Sequence, residues 1–293
     1  MFNGSIVALA TPFTDKGEID QVALRGLVDF HLEQGSNGLV VAGTTGESVA
    51  LSPAEFTDIL DLVVAQVGGR IPVIAGTGSA STRRSVEQTL LAAAHGADAA
   101  LVVTPYYVRP PQRGLEEHYR AVADESDIPL ILYNVPSRTA IDLLPQSVGR
   151  LSLHPRIVGI KEAYADTRRI EEILNHCSNS FTVLSGDDHH CVPAMKNGAH
   201  GVISVAANVA PGRMAELCAA AGQQDWERTD ALEAELSMLF DIMMIESNPI
   251  PVKWALFEMG LIGPHIRLPM SRLDKEHREQ VRQCLHGMDL IPS

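Results

Sequence analysis

Lys161 stands near the end of Ile157-Val158-Gly159-Ile160-Lys161-Glu162, an apolar run that reads as a buried strand. An ammonium in a dry interior is costly, so such a lysine either pairs with an acid or is driven toward its neutral amine. A neutral amine is the nucleophile that Schiff-base chemistry needs. The competing reading is a structural ion pair with an acidic neighbour such as Glu162, because structural pairs also perturb ionisation. The chain has five lysines, and the other four, Lys16, Lys196, Lys253 and Lys275, fall in polar turns or helix-like stretches.

Other apolar runs end in polar groups of matching interest. Gly43-Thr44-Thr45-Gly46-Glu47, Gly76-Thr77-Gly78, Thr104-Pro105-Tyr106-Tyr107, Tyr133-Asn134-Val135-Pro136-Ser137-Arg138 and Ser185-Gly186-Asp187-Asp188 each follow such a run. The Gly43–Gly46 segment is either a tight turn or a weak cradle of backbone N–H groups for an anion. It lacks the Lys-Ser/Thr ending of a nucleotide-binding P-loop. Tyr106, Tyr107 and Tyr133 are either core aromatics or hydroxyls placed for proton transfer. Arg138 is either a surface residue or a bidentate grip for a carboxylate. Asp187-Asp188-His189-His190 looks superficially like a metal cluster, but adjacent side chains diverge and no spaced histidine completes a ligand set. No catalytic metal and no cofactor are expected.

The elements that must carry these groups alternate along the chain. Strand candidates are Ser5–Ala10, Gly38–Ala42, Pro72–Ala75, Ala99–Thr104, Pro129–Tyr133, Val158–Lys161, Thr182–Ser185 and Gly201–Val205, each followed by a stretch of helical period. Continuous apolar runs, rather than alternating ones, are expected when both faces of a parallel sheet are covered. Ser52-Pro53-Ala54-Glu55 spells a capping box with proline at the first helical position. Pro145 and Pro211 stand where later helices should begin. Eight strand–helix units in about 220 residues predict an α/β fold, a (β/α)₈ TIM barrel. A doubly wound sheet would favour a glycine fingerprint after the first strand, and Ala10-Thr11-Pro12-Phe13 offers none. Such a barrel gathers all these polar strand ends on one face.

The reading divides the chain into a catalytic barrel over residues 1–224 and a C-terminal helical region over 225–293. In the latter, 226–245, 249–260 and 273–286 read as helices without intervening strands, a candidate oligomer contact or barrel cover. The net charge of −13 argues against nucleic acid or an anionic membrane as the main partner. Cys177, Cys191, Cys218 and Cys284 are scattered and read as reduced thiols of a cytosolic protein. No signal segment or membrane span is apparent, so a cytoplasmic location is expected.

Together the motifs resemble the dihydrodipicolinate synthase family, within the pyruvate-dependent class I aldolases and lyases. The likeness runs through Gly43-Thr44-Thr45-Gly46-Glu47-Ser48, Val103-Thr104-Pro105-Tyr106-Tyr107, Leu132-Tyr133-Asn134-Val135-Pro136-Ser137-Arg138-Thr139, Gly159-Ile160-Lys161-Glu162-Ala163 and Asn248-Pro249-Ile250-Pro251-Val252-Lys253-Trp254. The resemblance implies condensation of pyruvate with L-aspartate 4-semialdehyde through a Schiff base on Lys161, in lysine biosynthesis. It makes Tyr133 the main proton donor and acceptor, linked through Thr44 to Tyr107. It assigns the pyruvate carboxylate to Thr45 and neighbouring N–H groups, the pocket lining to Gly186 and the Ile203 backbone, and the semialdehyde carboxylate to Arg138. It implies a homotetramer built as a dimer of dimers, with Tyr107 reaching into a neighbouring subunit. Lysine-inhibited relatives typically carry Glu, Asn and His at the places of Arg84, Ala80 and Phe56, although Ser48 and Tyr106 are kept here. Weak lysine sensitivity is therefore expected. Alternatives are a sister lyase for N-acetylneuraminate or a 2-keto-3-deoxy sugar acid, a catalytically silent small-acid-binding barrel, and a metal-dependent aldolase.

Overall fold

The computed structural model describes residues 2–292. Eight parallel strands pair in chain order and close on themselves as a barrel. They are β1 Gly4–Ala8, β2 Gly38–Val41, β3 Val73–Gly76, β4 Ala99–Val103, β5 Leu130–Asn134, β6 Ile157–Glu162, β7 Thr182–Ser185 and β8 Gly201–Ser204. All eight runs read from the sequence are strands, with no end shifted by more than two residues and β7 unshifted. β1 stops at Ala8 rather than Ala10 for a visible reason. The Ala10 N–H donates to Asn208 Oδ1 at 3.0 Å instead of entering the ladder.

The helix starts follow their local chemistry. At Pro53–Val67 the Ser52 side chain accepts from the Glu55 N–H and the Glu55 carboxylate accepts from the Ser52 N–H, satisfying two orphan donors. Pro145 and Pro211 open Pro145–Leu151 and Pro211–Gly222, where a missing N–H costs nothing.

The barrel interior is filled by Ile6, Val40, Ile74, Leu101, Ile131 and Ile203 with their neighbours. A packed interior of this kind closes the barrel below and leaves only its rim for chemistry. Outside the strands, apolar helix faces cover the sheet. Leu115, Tyr119 and Val122 on Gln112–Glu125, for example, lie in one cluster with Leu130, Leu132 and Ile160. Burying each such side chain contributes about 1.5–3 kcal/mol.

After Gly222 the chain makes helices Trp226–Ile242, Ile250–Glu258 and Lys275–Gly287. Leu232, Leu236, Val252 and Val281 from these helices share a single apolar cluster with Val7, Leu9 and Leu39 of the barrel. Among the described residues, no helix is long and apolar enough to cross a membrane.

One expectation from the sequence needs correction. Lys253 does lie on a helix, but it is buried, at 4 % exposure, as deeply as Lys161 at 5 %. Helical period alone hides this because Ile250–Glu258 is covered on nearly every side. What separates the two lysines is their partners.

Candidate active site

A cavity of about 520 Å³ opens at the carboxyl end of the barrel. Thr44, Thr45, Tyr133, Arg138, Lys161 and Gly186 all line it. Parallel pairing in register sets Tyr133 of β5 directly beside Lys161 of β6. The Lys161 Nζ lies 4.5 Å from the centroid of the Tyr133 ring. No ion pair among the described residues includes Lys161. Glu162, the acid that could have neutralised it, follows on the strand and so points to the opposite face. Both Glu162 oxygens accept from Asn134 Nδ2, at 3.0 and 3.1 Å. The ion-pair reading of Lys161 therefore fails on geometry.

Lys253, by contrast, is paired. Its Nζ donates to Glu47 Oε1 at 2.5 Å, and the other Glu47 oxygen accepts the Arg267 N–H at 2.9 Å. Phe13 is sandwiched into the same network, with Lys253 Nζ 4.3 Å and the Arg267 guanidinium 4.2 Å from its ring centroid. Arg267 also pairs with Glu55 and donates to Gly17 and Ala50 carbonyls. This network fastens the C-terminal helices to the turn that carries Thr44 and Thr45. Asn248 completes the fastening, its Nδ2 donating to Thr45 Oγ1 at 3.0 Å.

Two glycines hold open space that any side chain would close. A Cβ on Gly76 would sit 2.2 Å from the Ala42 carbonyl oxygen, so β3 could not approach the Gly43–Gly46 turn. A Cβ on Gly186 would lie 3.0 Å from Lys161 Cε and 2.8 Å from Ala163 Cβ. Gly186 thus gives the Lys161 side chain room to reach the cavity.

Two of the residues assigned from the resemblance lie elsewhere. Tyr107 is 92 % exposed, with φ of 73°, and does not line the cavity of its own chain. Ile203 is fully buried in the barrel interior and is not among the lining residues. The acid–histidine run makes local structural bonds, and Asp187, Asp188 and His189 also line the cavity. Asp188 Oδ2 accepts from the Val205 and Ala206 N–H groups, His190 bonds Asp187, and His189 bonds Asp241. Among the described residues no three His, Cys, Asp or Glu side chains are grouped to hold a metal ion.

Sequence reasoning missed Glu47, Asn248 and Arg267. The Asn-Pro pair at 248–249 and an acid closing a glycine turn were the only local signals, and neither names a partner some 200 residues away.

Burial pushes the Glu162 carboxyl up to about 8, against the Asn134 hydrogen bond and the Arg169 charge that favour its ionised form. The unfolded group titrates near 4.5. Between those values the folded chain keeps a proton that the unfolded chain has lost, so stability falls as pH rises, by at most about 1.4 kcal/mol per unit. His31 and His118, lowered by burial to about 3 and about 4, act in the opposite sense. Below about pH 6.5 the unfolded chain binds their protons first, so their contribution rises with pH. Above that, Glu162 acts without this opposition. The urea midpoint of the wild type is expected to drop between pH 6.5 and 8, and Glu162→Gln to remove most of that drop. Equal slopes for the two proteins would contradict the assignment.

An eight-stranded parallel barrel with a buried lysine and a tyrosine side by side in its rim cavity suits amine-nucleophile chemistry on a small carbonyl compound. Comparison with known proteins narrows the class. The model of the Dihydrodipicolinate synthetase family matches residues 1–288. A 4-hydroxy-tetrahydrodipicolinate synthase of Methylococcus capsulatus is 53 % identical over 291 residues, covering 99 % of this chain and all of the relative. The solved chloride-inhibited dihydrodipicolinate synthase of Acinetobacter baumannii, in complex with pyruvate, is 46 % identical with a TM-score of 0.98, covering 99 % of this chain and 100 % of that one. The dihydrodipicolinate synthase of Aquifex aeolicus is 44 % identical with a TM-score of 0.97, and 99 % of each chain is covered. The chain belongs to the Dihydrodipicolinate synthetase family.

Proposed function

We propose that this chain is a Schiff-base lyase that condenses pyruvate with L-aspartate 4-semialdehyde, the first committed step of the diaminopimelate route to lysine. The observation that carries the reading is Lys161, buried, without an acid partner among the described residues, and set against Tyr133 in the rim cavity. The relatives' shared activity supports it.

Lys161 Nζ attacks the pyruvate C2 carbonyl, and loss of water gives a protonated imine. That cation draws electrons from the methyl group, which loses a proton to leave an enamine. The enamine carbon adds to the aldehyde of the semialdehyde, whose oxygen takes up a proton. The substrate's amino group then attacks the imine carbon, closes the ring and expels the Lys161 amine. Each step moves a proton, and Tyr133 is the hydroxyl group nearest the lysine on the adjoining strand. A phenol with an ordinary pKa of about 10 exchanges protons slowly alone at neutral pH, so a relay through Thr44 is part of the reading. Thr45, held by Asn248, binds the pyruvate carboxylate. Arg138 is exposed at the mouth and receives the carboxylate of the semialdehyde. Gly186 shapes the pocket beside Lys161.

Tyr107 enters from a second copy of the chain. A tyrosine 92 % exposed beside the exposed Val108 suits insertion into a neighbour. A homotetramer of two such dimers and a cytoplasmic location complete the reading. Weak lysine sensitivity belongs to it as well. Arg84 is an exposed cation, and Phe56 is buried in the apolar core with no hydrogen bond to offer.

The test is pyruvate consumption in the presence of the semialdehyde, with the cyclic product identified by mass. Turnover that requires both substrates, undiminished by sub-millimolar lysine, is expected. Turnover of N-acetylneuraminate or a keto-deoxy sugar acid in their place would overturn the assignment.

A further inference from the structure

Behind the cavity, on the outer face of the same two strands, lies a second polar cluster that touches no cavity surface. Asn134 follows Tyr133 and Glu162 follows Lys161, and the two pairs are in register. Since neighbours on a strand face opposite ways, fixing the outer pair fixes the inner pair. Asn134 is fully buried and fully used. Its Nδ2 donates to both Glu162 oxygens and, at 2.8 Å, to Asp142 Oδ1, while its Oδ1 accepts the Leu143 N–H at 3.0 Å. Asp142 in turn takes Arg169 at 2.7 Å. The Arg169 guanidinium lies 4.2 Å from the centroid of the Tyr164 ring, which brings the chain of contacts back to the end of β6.

We propose that Asn134 and Glu162, anchored by Asp142 and Arg169, are positioning residues that hold Lys161 and Tyr133 at the separation the chemistry requires. The contacts form a closed ring through β6, β5, the loop after β5, the helix Arg168–Leu174 and the loop after β6. A ring of this kind resists both sliding of β6 past β5 and rotation of either strand end. A bare backbone ladder resists the first better than the second. The ring carries one acid more than it has cations, and burial shifts the Glu162 carboxyl toward its neutral form. A neutral group at 162 therefore suffices, and it needs only to accept from Asn134.

This inference rests on the Schiff-base reading of Lys161, and the experiment separates the two. Wild type, Glu162→Ala, Asn134→Ala and Glu162→Gln are compared for thermal unfolding, borohydride trapping of pyruvate, and steady-state kinetics. If wild type traps no pyruvate, the Schiff-base reading fails and this one with it. If it does, Glu162→Ala and Asn134→Ala are expected to lower kcat by about 10- to 100-fold with KM for pyruvate little changed, because small misplacements of reacting groups have costs of this size. Glu162→Gln is expected to recover most of that loss. Should either alanine variant not fold, Arg169→Met, at the outer edge of the ring, gives the same comparison with a smaller expected fall in kcat. Folded variants with reduced melting temperature and wild-type kcat would assign the ring to stability alone and overturn the proposal. A Glu162→Gln variant as impaired as Glu162→Ala would also overturn it.

Discussion

Lys161→Met is expected to abolish turnover, by at least about 10⁴-fold, while leaving a barrel that is no less stable than the wild type. The loss follows from chemistry, since without the amine no imine forms and no other group in the cavity can replace it as an electron sink. The stability follows from burial. Lys161 is 5 % exposed and forms no ion pair among the described residues, so an apolar side chain of similar length in its place orphans no buried acid. Lys161→Arg separates nucleophile from charge, because a guanidinium keeps the cation but does not deprotonate in proteins. It is expected to be as inactive as Lys161→Met. Circular dichroism, thermal melts and turnover together check the result. An Arg variant retaining even a tenth of the activity would show that the site needs a charge rather than an amine.

Lys253→Met has the reverse signature. It leaves Glu47, only 4 % exposed, facing Arg267 alone, and breaking a buried pair by removing one member costs about 3–5 kcal/mol. Burial lowers the Lys253 pKa and the Glu47 carboxylate opposes that shift, which is what a desolvated but paired ammonium shows. Replacing both partners, Glu47→Leu with Lys253→Met, is expected to recover a substantial part of the stability, since no orphaned charge remains. Activity is expected to fall in both, because Glu47, itself at φ of 55°, closes the turn that bears Thr44 and Thr45. Urea unfolding of the two singles and the double gives the coupling energy. A Lys253→Met variant destabilised by less than about 1 kcal/mol would show that the pair contributes little.

The two lysines mark where the sequence was legible and where it was not. Eight apolar runs, helix-starting prolines and a capping box are local signals, and each produced the element it announced. Their grouping at one rim followed from the parallel topology alone, which is why Thr44, Thr45, Tyr133, Arg138 and Lys161 could be placed together in advance. Burial of Lys253 could not be read, because it depends on packing between Ile250–Glu258 and a turn some 200 residues earlier. The same holds for Asn248 on Thr45 and for Asp142 between Asn134 and Arg169. Tyr107 was legible as a strand-end tyrosine, but its direction was not. A residue that follows the strand in a loop of positive φ no longer obeys the alternation that fixes Tyr133.

The charge state behind the cavity has a similar lesson. Glu162 is written next to Lys161 and reads naturally as its counter-ion. Strand alternation sends it to the other face, where an amide and not an ammonium receives it. The sequence neighbour is thus removed from the lysine by the geometry that presents the lysine to the cavity.

The most direct test of the account is the mass of the protein and of its peptides after incubation with pyruvate and borohydride. One reduced pyruvyl group per chain, on Lys161 and on none of Lys16, Lys196, Lys253 or Lys275, is the predicted result. Folded protein that gains no adduct, or gains it on Lys253, would contradict it.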